Sequence, residues 1–182
     1  KLSIGEMEDP ETYVDGFRVS LVRVSGGNLA STNGFEVMPD TSWNSLDRGY
    51  MVYEGAALKL EYSAAEHTWN LVSYTPRTGD PQVLTEGTDI EFLGFDEVTL
   101  EPASATTYTS FSGVGENYPV EIHYNGRVRI AYNETIQLTD GADWVAEGSG
   151  TLTVIKRDGV LKMHPSIVDQ TTDVSVGEGS SA

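Results

Sequence analysis

Residues 120–130 alternate apolar and polar side chains, and they read Val120-Glu121-Ile122-His123-Tyr124-Asn125-Gly126-Arg127-Val128-Arg129-Ile130. This is the period of a half-buried β-strand, interrupted by an Asn-Gly pair of the kind that closes hairpins. A two-residue loop would set Ile122 opposite Arg129, on the wrong face. A three-residue loop over residues 124–126 would pair Ile122 with Val128 and set Glu121 across from Arg129. The stretch therefore predicts an antiparallel hairpin with an odd-length loop.

The same alternation recurs along much of the chain, for example in residues 17–21, 58–62 and 69–74. Turn formers separate these runs, and Asp158-Gly159 predicts a two-residue type I′ turn that pairs Val154 with Met163. No stretch of eleven or more residues keeps a helical apolar period, and no repeat of fixed length predicts a solenoid or propeller. We therefore expect an all-β fold, an antiparallel β-sandwich or single jelly roll.

Composition divides the chain into three parts. We expect an N-terminal arm over residues 1–16, the β-sandwich domain over residues 17–168, and a C-terminal arm or tail over residues 169–182. The last part ends in the Gly- and Ser-rich run 176–182. Ordering such a polar segment costs about 1–2 kcal/mol per residue, which the contacts of a neighbour would have to offset. We therefore predict that the C-terminal arm contacts a partner.

The charge balance excludes several classes of partner. The 182 residues hold 28 acidic and 11 basic side chains, which gives a net charge of -17. Such a chain repels phosphate backbones and anionic membrane surfaces, so we expect no nucleic-acid partner. We also expect no signal peptide, and no apolar run is long enough to span a bilayer. With no cysteine, thiolate zinc sites and cysteine nucleophiles are excluded as well.

High salt accounts for this acidity better than disorder does. Hydrophobic residues make up 38% of the chain, which is enough for a packed core. Lysine is scarce, with Lys1, Lys59, Lys156 and Lys162 as the whole set. At molar salt the Debye length falls to about 3 Å, so carboxylate repulsion is screened while the surface stays hydrated. The sequence therefore predicts a halophilic origin.

Motifs of known chemistry are weak or missing. There is no nucleophile-elbow pattern and no glycine-rich phosphate loop, so we expect no enzyme activity, small-molecule substrate or cofactor. The histidines, His67, His123 and His164, lack metal-ligand spacing, and His123 is expected on the polar face of its strand beside Glu121. Acid pairs such as Asp89/Glu91 and Asp140/Asp143 fit a solvated surface, although a hydrolase would also need two carboxylates.

Aromatic residues and a sequon complete the candidates. Trp69 is in phase with Leu71, which predicts core packing, whereas Trp43 lies in a polar loop and is expected to be exposed. Exposed tryptophan is enriched in interface hot spots, so Trp43 is a candidate contact residue. Asn133-Glu134-Thr135 is a glycosylation sequon, a pattern that also arises by chance.

The size, acid bias and succession of strands from Phe17 to His164 together resemble a virion subunit. More narrowly, the chain resembles the small single-jelly-roll major capsid proteins of icosahedral haloarchaeal viruses that contain an internal membrane. The resemblance implies a capsid subunit located in the virion, whose partners are copies of itself and a related capsid protein, with an internal membrane or minor membrane proteins nearby.

Other assignments remain open at the level of sequence. They are a tail-tube or cement protein of such a virus, an extracellular carbohydrate-binding or surface-layer module at the cell surface, and a β-sandwich hydrolase. The first two act by binding, and the third would need a cleft with two carboxylates of raised pKa. For an assembly subunit, the candidate interface residues are Pro10, Tyr13, Trp43, Gly177 and Glu178.

Overall fold

The structure, a computed structural model, describes residues 14–22, 34–40 and 42–165. These residues form strands and connecting loops, and the all-β prediction is confirmed. In chain order the strands are β1 Arg18–Val22, β2 Phe35–Val37, β3 Tyr50–Val52, β4 Ala57–Ser63, β5 Thr68–Thr75, β6 Gln82–Leu84, β7 Asp89–Glu91, β8 Glu97–Leu100, β9 Thr106–Tyr108, β10 Ser110–Ser112, β11 Pro119–Ile130, β12 Ile136–Gln137, β13 Trp144–Arg157 and β14 Val160–Met163. In the described part of the chain no helix is long and apolar enough to cross a bilayer.

Two long strands organise the largest sheet. β11 and β13 pair antiparallel over twelve positions, from Pro119 opposite Ile155 to Ile130 opposite Trp144. The sheet has the order β12-β14-β13-β11-β8-β6, and β9 also pairs with β11. Because side chains alternate across a strand, the even-numbered residues of β11 face the core and the odd-numbered ones face solvent. Val120, Ile122, Val128 and Ile130 are accordingly buried.

The prediction of a hairpin at Asn125-Gly126 is wrong. β11 runs straight through both residues, and Asn125 pairs with Ser149 of β13 rather than turning back on its own strand. The alternation of apolar and polar residues is compatible with an odd-length loop and equally with an unbroken strand. Both arrangements keep residues two positions apart on the same face of the sheet. Gly126 does adopt a positive φ of 122°, opposite Gly148 at 95°, so the pair marks an irregularity shared by two strands. Arg129 therefore lies opposite Val145, far from Glu121.

The second predicted turn is confirmed in detail. Asp158 and Gly159 both have positive φ, 53° and 77°, as a type I′ turn requires. Val154 pairs with Met163, as expected. This places Leu161 in the same buried cluster as Leu152 and Val154.

Parallel pairing is more frequent than an antiparallel sandwich or jelly roll requires. Among the described strands, five ladders run parallel, namely β6 with β8, β8 with β11, β9 with β11, β12 with β14 and β7 with β10. Short loops connect several of these strands, which gives this region a solenoid-like character within a sandwich-type all-β fold. The small β7/β10 sheet contributes Ile90 to the core cluster of the large sheet.

A smaller unit packs around a second core. β1, β4 and β5 form a three-stranded sheet, and β2 pairs with β3. Leu58 and Leu60 of the central strand are fully buried, and Trp69 is 1% exposed, which confirms the prediction that it packs in the core. The outer face of this sheet carries an ion pair between Arg18 and Glu61.

Polar contacts around Glu36 join the units. The Lys156 ammonium of β13 lies 2.6 Å from the Glu36 carboxylate of β2, and both side chains are less than one-fifth exposed. The backbone N–H of Glu116 donates to Glu36 at 2.6 Å, while the buried Glu116 carboxylate accepts from the N–H groups of Asp158 and Gly159. A Cβ at Gly49 would collide with Glu36 and with the Glu116 backbone, so the close approach requires glycine.

An arginine stacked between tyrosines forms a further contact between the units. The Arg48 guanidinium carbon lies 3.8 Å from the centroid of the Tyr118 ring and 4.5 Å from that of Tyr50. Tyr118 also donates to Asp96 at 3.2 Å. Since Tyr50 belongs to the smaller core and Tyr118 packs against the larger one, this cation–π stack spans both.

Candidate functional site

The predicted contact residues fall into two groups. Pro10, Tyr13, Gly177 and Glu178 lie outside the described residues. Trp43 is half-buried rather than exposed, because it packs against the smaller core and its carbonyl accepts from the Trp69 N–H at 2.9 Å. A contact role for Trp43 therefore stays a prediction and depends on the exposed part of its ring.

Among the described residues, the outer edge of β13 has no partner strand along most of its length. β14 pairs only with residues from Val154 to Arg157, and the bond from His164 N–H to the Thr153 carbonyl at 3.0 Å extends this pairing by one position. In an antiparallel strand the backbone N–H and C=O of one residue point to the same side. The odd-numbered residues therefore face outward, as Thr153 does. We name Val145, Glu147, Ser149 and Thr151 the β13 edge, and no described strand pairs with it.

Packing on its inner side holds this edge in place. The β11 ladder continues without a shift beneath the whole β13 edge. Tyr124 lies across from Gly150, where a Cβ would collide with the tyrosine hydroxyl. The same ring meets Trp144 edge-on, with centroids 5.2 Å apart. The backbone donors and acceptors of the edge are thus presented by a supported strand rather than by a loop.

Acidic side chains at and beside the β13 edge are paired with arginines, although the chain as a whole is strongly acidic. Glu147 lies 3.1 Å from Arg127, and next to it Asp143 lies 2.7 Å from Arg129. Val145 is 62% exposed, among the most exposed of the large apolar side chains described. An open strand edge with exposed apolar contacts and paired charges is a template on which another strand can form.

The sequence found only the beginning of this edge. Alternation predicts a strand over Trp144–Glu147, but the structure continues β13 to Arg157. Gly148-Ser149-Gly150 hides the continuation, because two glycines in three residues indicate a loop. The pairing with β11 overrides this local signal.

The structure also places the histidine and the sequon asparagine that the sequence analysis considered. His123 lies on the polar face beside Glu121, as expected, with its Nε2 3.3 Å from that carboxylate. The Asn133 side chain donates to the Thr109 carbonyl at 2.9 Å and accepts from Thr135 and Ile136 N–H groups.

A row of exposed aromatic rings on one face would favour a carbohydrate-binding module, and the described residues show where the exposed rings lie. The most exposed aromatic rings, Phe17, Phe35 and Tyr132, precede β1, lie in β2 and follow β11 respectively, so they do not share one strand.

Comparison with known proteins identifies no family for this chain. The sequence matches no protein-family profile and no curated protein. A solved structure described as "Structure of a chaperone-substrate complex" is similar over 82% of this chain, at 12% identity and a TM-score of 0.42. The match spans 27% of that longer chain.

Proposed function

We propose that this protein is a structural assembly subunit that works by associating with copies of itself and performs no chemical turnover. The observation that carries the proposal is the β13 edge, which no strand in the described part of the chain pairs with and where a supported strand leaves four residues with outward-facing backbone groups. Long open edges in natural proteins are normally covered or blunted by charge or proline. Here the Glu147 charge is paired with Arg127, and no proline lies within the edge.

The pattern of side chains suits a second copy of the same chain. Antiparallel pairing around a twofold axis at Gly148 would set Val145 opposite Thr151 and Glu147 opposite Ser149. No two like charges are then directly opposed, and the one charged side chain of the edge, Glu147, is already paired with Arg127. Molar salt would screen the remaining repulsion between two strongly acidic subunits.

The specific form we propose is a capsid subunit of an icosahedral haloarchaeal virus, which packs with a related capsid protein. Its support is the chain's size, acid bias and strand succession, and edge pairing gives such a subunit a lateral contact. The N-terminal arm with Pro10 and Tyr13, the Trp43 ring and the tail with Gly177 and Glu178 are proposed as further contacts. Deleting residues 177–182 would test the tail independently of the β13 edge.

Sedimentation in high salt tests the proposal. Ser149→Pro removes an outward N–H while the inward bonds to β11 remain, because proline is tolerated where a strand's N–H faces solvent. We expect the wild-type chain to sediment as an oligomer and Ser149→Pro to shift towards the monomer.

Ser149→Ala is the matched control, since it removes the hydroxyl but keeps the backbone donor. It should assemble like the wild type, and circular dichroism must show that both variants are folded. A wild-type chain that stays monomeric at high protein and salt concentration would overturn the assembly function. Normal assembly of a folded Ser149→Pro variant would instead reject this edge as the contact.

A further inference from the structure

A histidine and two glutamates converge on the solvent face of the large sheet. Glu97 comes from β8, and Glu121 and His123 come from the neighbouring strand β11. His123 Nε2 lies 3.1 Å from a Glu97 carboxylate oxygen and 3.3 Å from one of Glu121. One potential ligand atom from each of the three residues lies within 4.8 Å of the other two.

The strand register makes this convergence costly without a cation. Glu97 and Glu121 are direct partners in the parallel β8/β11 ladder. Like charges that face each other across a ladder destabilise a sheet. A cation placed between the carboxylates would remove this repulsion, and an imidazole nitrogen is already directed at the same point.

The distances match those of a shared metal ion. Zinc binds imidazole nitrogen and carboxylate oxygen at about 2.0–2.2 Å, so two ligand atoms on one tetrahedral ion lie about 3.3 Å apart. Both distances from Nε2 are close to this value. The Glu97 and Glu121 side chains are 47% and 50% exposed, so their rotation can bring the second oxygen closer.

The other nitrogen of the ring is held from the third strand. His123 Nδ1 lies 2.9 Å from the Thr151 hydroxyl oxygen on β13. Metal-binding histidines normally use their second nitrogen in such a bond, which fixes the ring orientation and the tautomer. Nδ1–H donating to Thr151 would leave Nε2 unprotonated and able to bind a metal.

We propose that Glu97, Glu121 and His123 form a divalent transition-metal site on the sheet face, with Thr151 as the residue that orients the histidine. One imidazole and two carboxylates suit zinc, manganese or iron, and the remaining coordination positions face solvent. A bound ion would link β8 to β11 and stabilise the sheet. The site does not depend on the assembly proposal.

Zinc titration of the full chain tests the site. Calorimetry in about 1 M sodium nitrate suppresses diffuse binding to the acidic surface, because the Debye length is then about 3 Å and nitrate is a weak ligand. We expect one saturable zinc site and a rise in melting temperature with zinc that His123→Ala abolishes. Thr151→Val should lower the zinc affinity about tenfold without removing a ligand.

Matched controls separate the site from surface charge. Glu121→Gln and Glu91→Gln each remove one negative charge, but Glu91 lies on β7, which pairs with β10 in a separate sheet and is not one of the three clustered residues. Saturable binding should disappear in the first and persist in the second. Equal zinc binding by the wild type and a folded His123→Ala variant, or no saturable binding by the wild type, would overturn the proposal.

Discussion

At the scale of single residues, a half-buried tyrosine that packs against the smaller core is bonded to β3 through its hydroxyl group. The Tyr74 hydroxyl donates to the Met51 carbonyl at 2.7 Å, and its ring meets Tyr50 edge-on at 5.1 Å. Burial raises the pKa of Tyr74 to about 12, against the weaker opposing effect of the nearby Arg48 charge. Folding therefore favours the protonated phenol.

This pKa predicts a specific alkaline weakness. The unfolded tyrosine ionises near pH 10.0, whereas the folded one holds its proton until about pH 12, so stability falls as pH rises between these values. Tyr74→Phe should be less stable at neutral pH, because it loses the bond to Met51, but should lose less stability from pH 10 to 12. Thermal melting across this range measures both effects.

Tyr132→Phe provides the comparison, because that ring is 42% exposed and has no comparable burial. It should keep the wild-type fall in melting temperature at high pH. If Tyr74→Phe showed the same fall as the wild type, Tyr74 would not be the source of the alkaline loss.

At the scale of elements, the joint between β2 and β13 depends on one partly buried ion pair. Lys156 and Glu36 are 12% and 18% exposed, and Glu36 also accepts the N–H of Glu116. Removing one member leaves the other charge buried and uncompensated, whereas exposed pairs contribute little. The alternation of residues cannot reveal this pair, since the two residues are 120 positions apart.

A double-mutant cycle measures the joint. Lys156→Met should lower the free energy of unfolding by about 3 kcal/mol, because the Glu36 carboxylate loses its partner. Adding Glu36→Gln should recover part of this loss, since glutamine removes the charge and still accepts from Glu116. Denaturant unfolding in constant high salt gives each value.

An exposed pair is the control for this cycle. Arg18 binds Glu61, and the Arg18 side chain is 70% exposed. Arg18→Met should cost less than about 1 kcal/mol. A loss in Lys156→Met no larger than this, or a double variant as unstable as the sum of both singles, would contradict a coupled buried pair.

At the scale of the whole molecule, the net charge of -17 dominates behaviour in solution. Most of the described basic side chains already have a partner. Four are in ion pairs and two lie over aromatic rings, namely Arg18, Arg127, Arg129 and Lys156, and Arg48 and Arg77. The excess carboxylates are left to repel one another. This repulsion opposes both compaction and the approach of a second subunit.

Salt dependence follows from this repulsion. We expect the isolated chain to lose its fold or aggregate as salt falls below about 1 M, because screening then weakens. Circular dichroism across a salt series measures the transition. Sodium chloride and sodium nitrate at equal ionic strength should protect alike if screening is the cause, and a fold unchanged after dialysis into dilute buffer would contradict the halophilic interpretation.

The sequence by itself determined the features that depend on neighbouring residues. Alternation identified the β class and the buried face of residues 120–130, and the Asp158-Gly159 turn set the β13/β14 register, because two positive-φ residues close a hairpin locally. The acid excess likewise follows from composition alone.

Only the tertiary structure decided which strands meet. Asn125-Gly126 satisfies the same alternation whether the chain turns or continues, and pairing with β13 selects the straight strand. In the same way, Glu97 meets His123 because β8 pairs with β11, and the β13 edge has no partner among the described strands because β14 is short. Side-chain alternation is a local property of one strand, whereas partner choice depends on contacts between residues far apart in sequence.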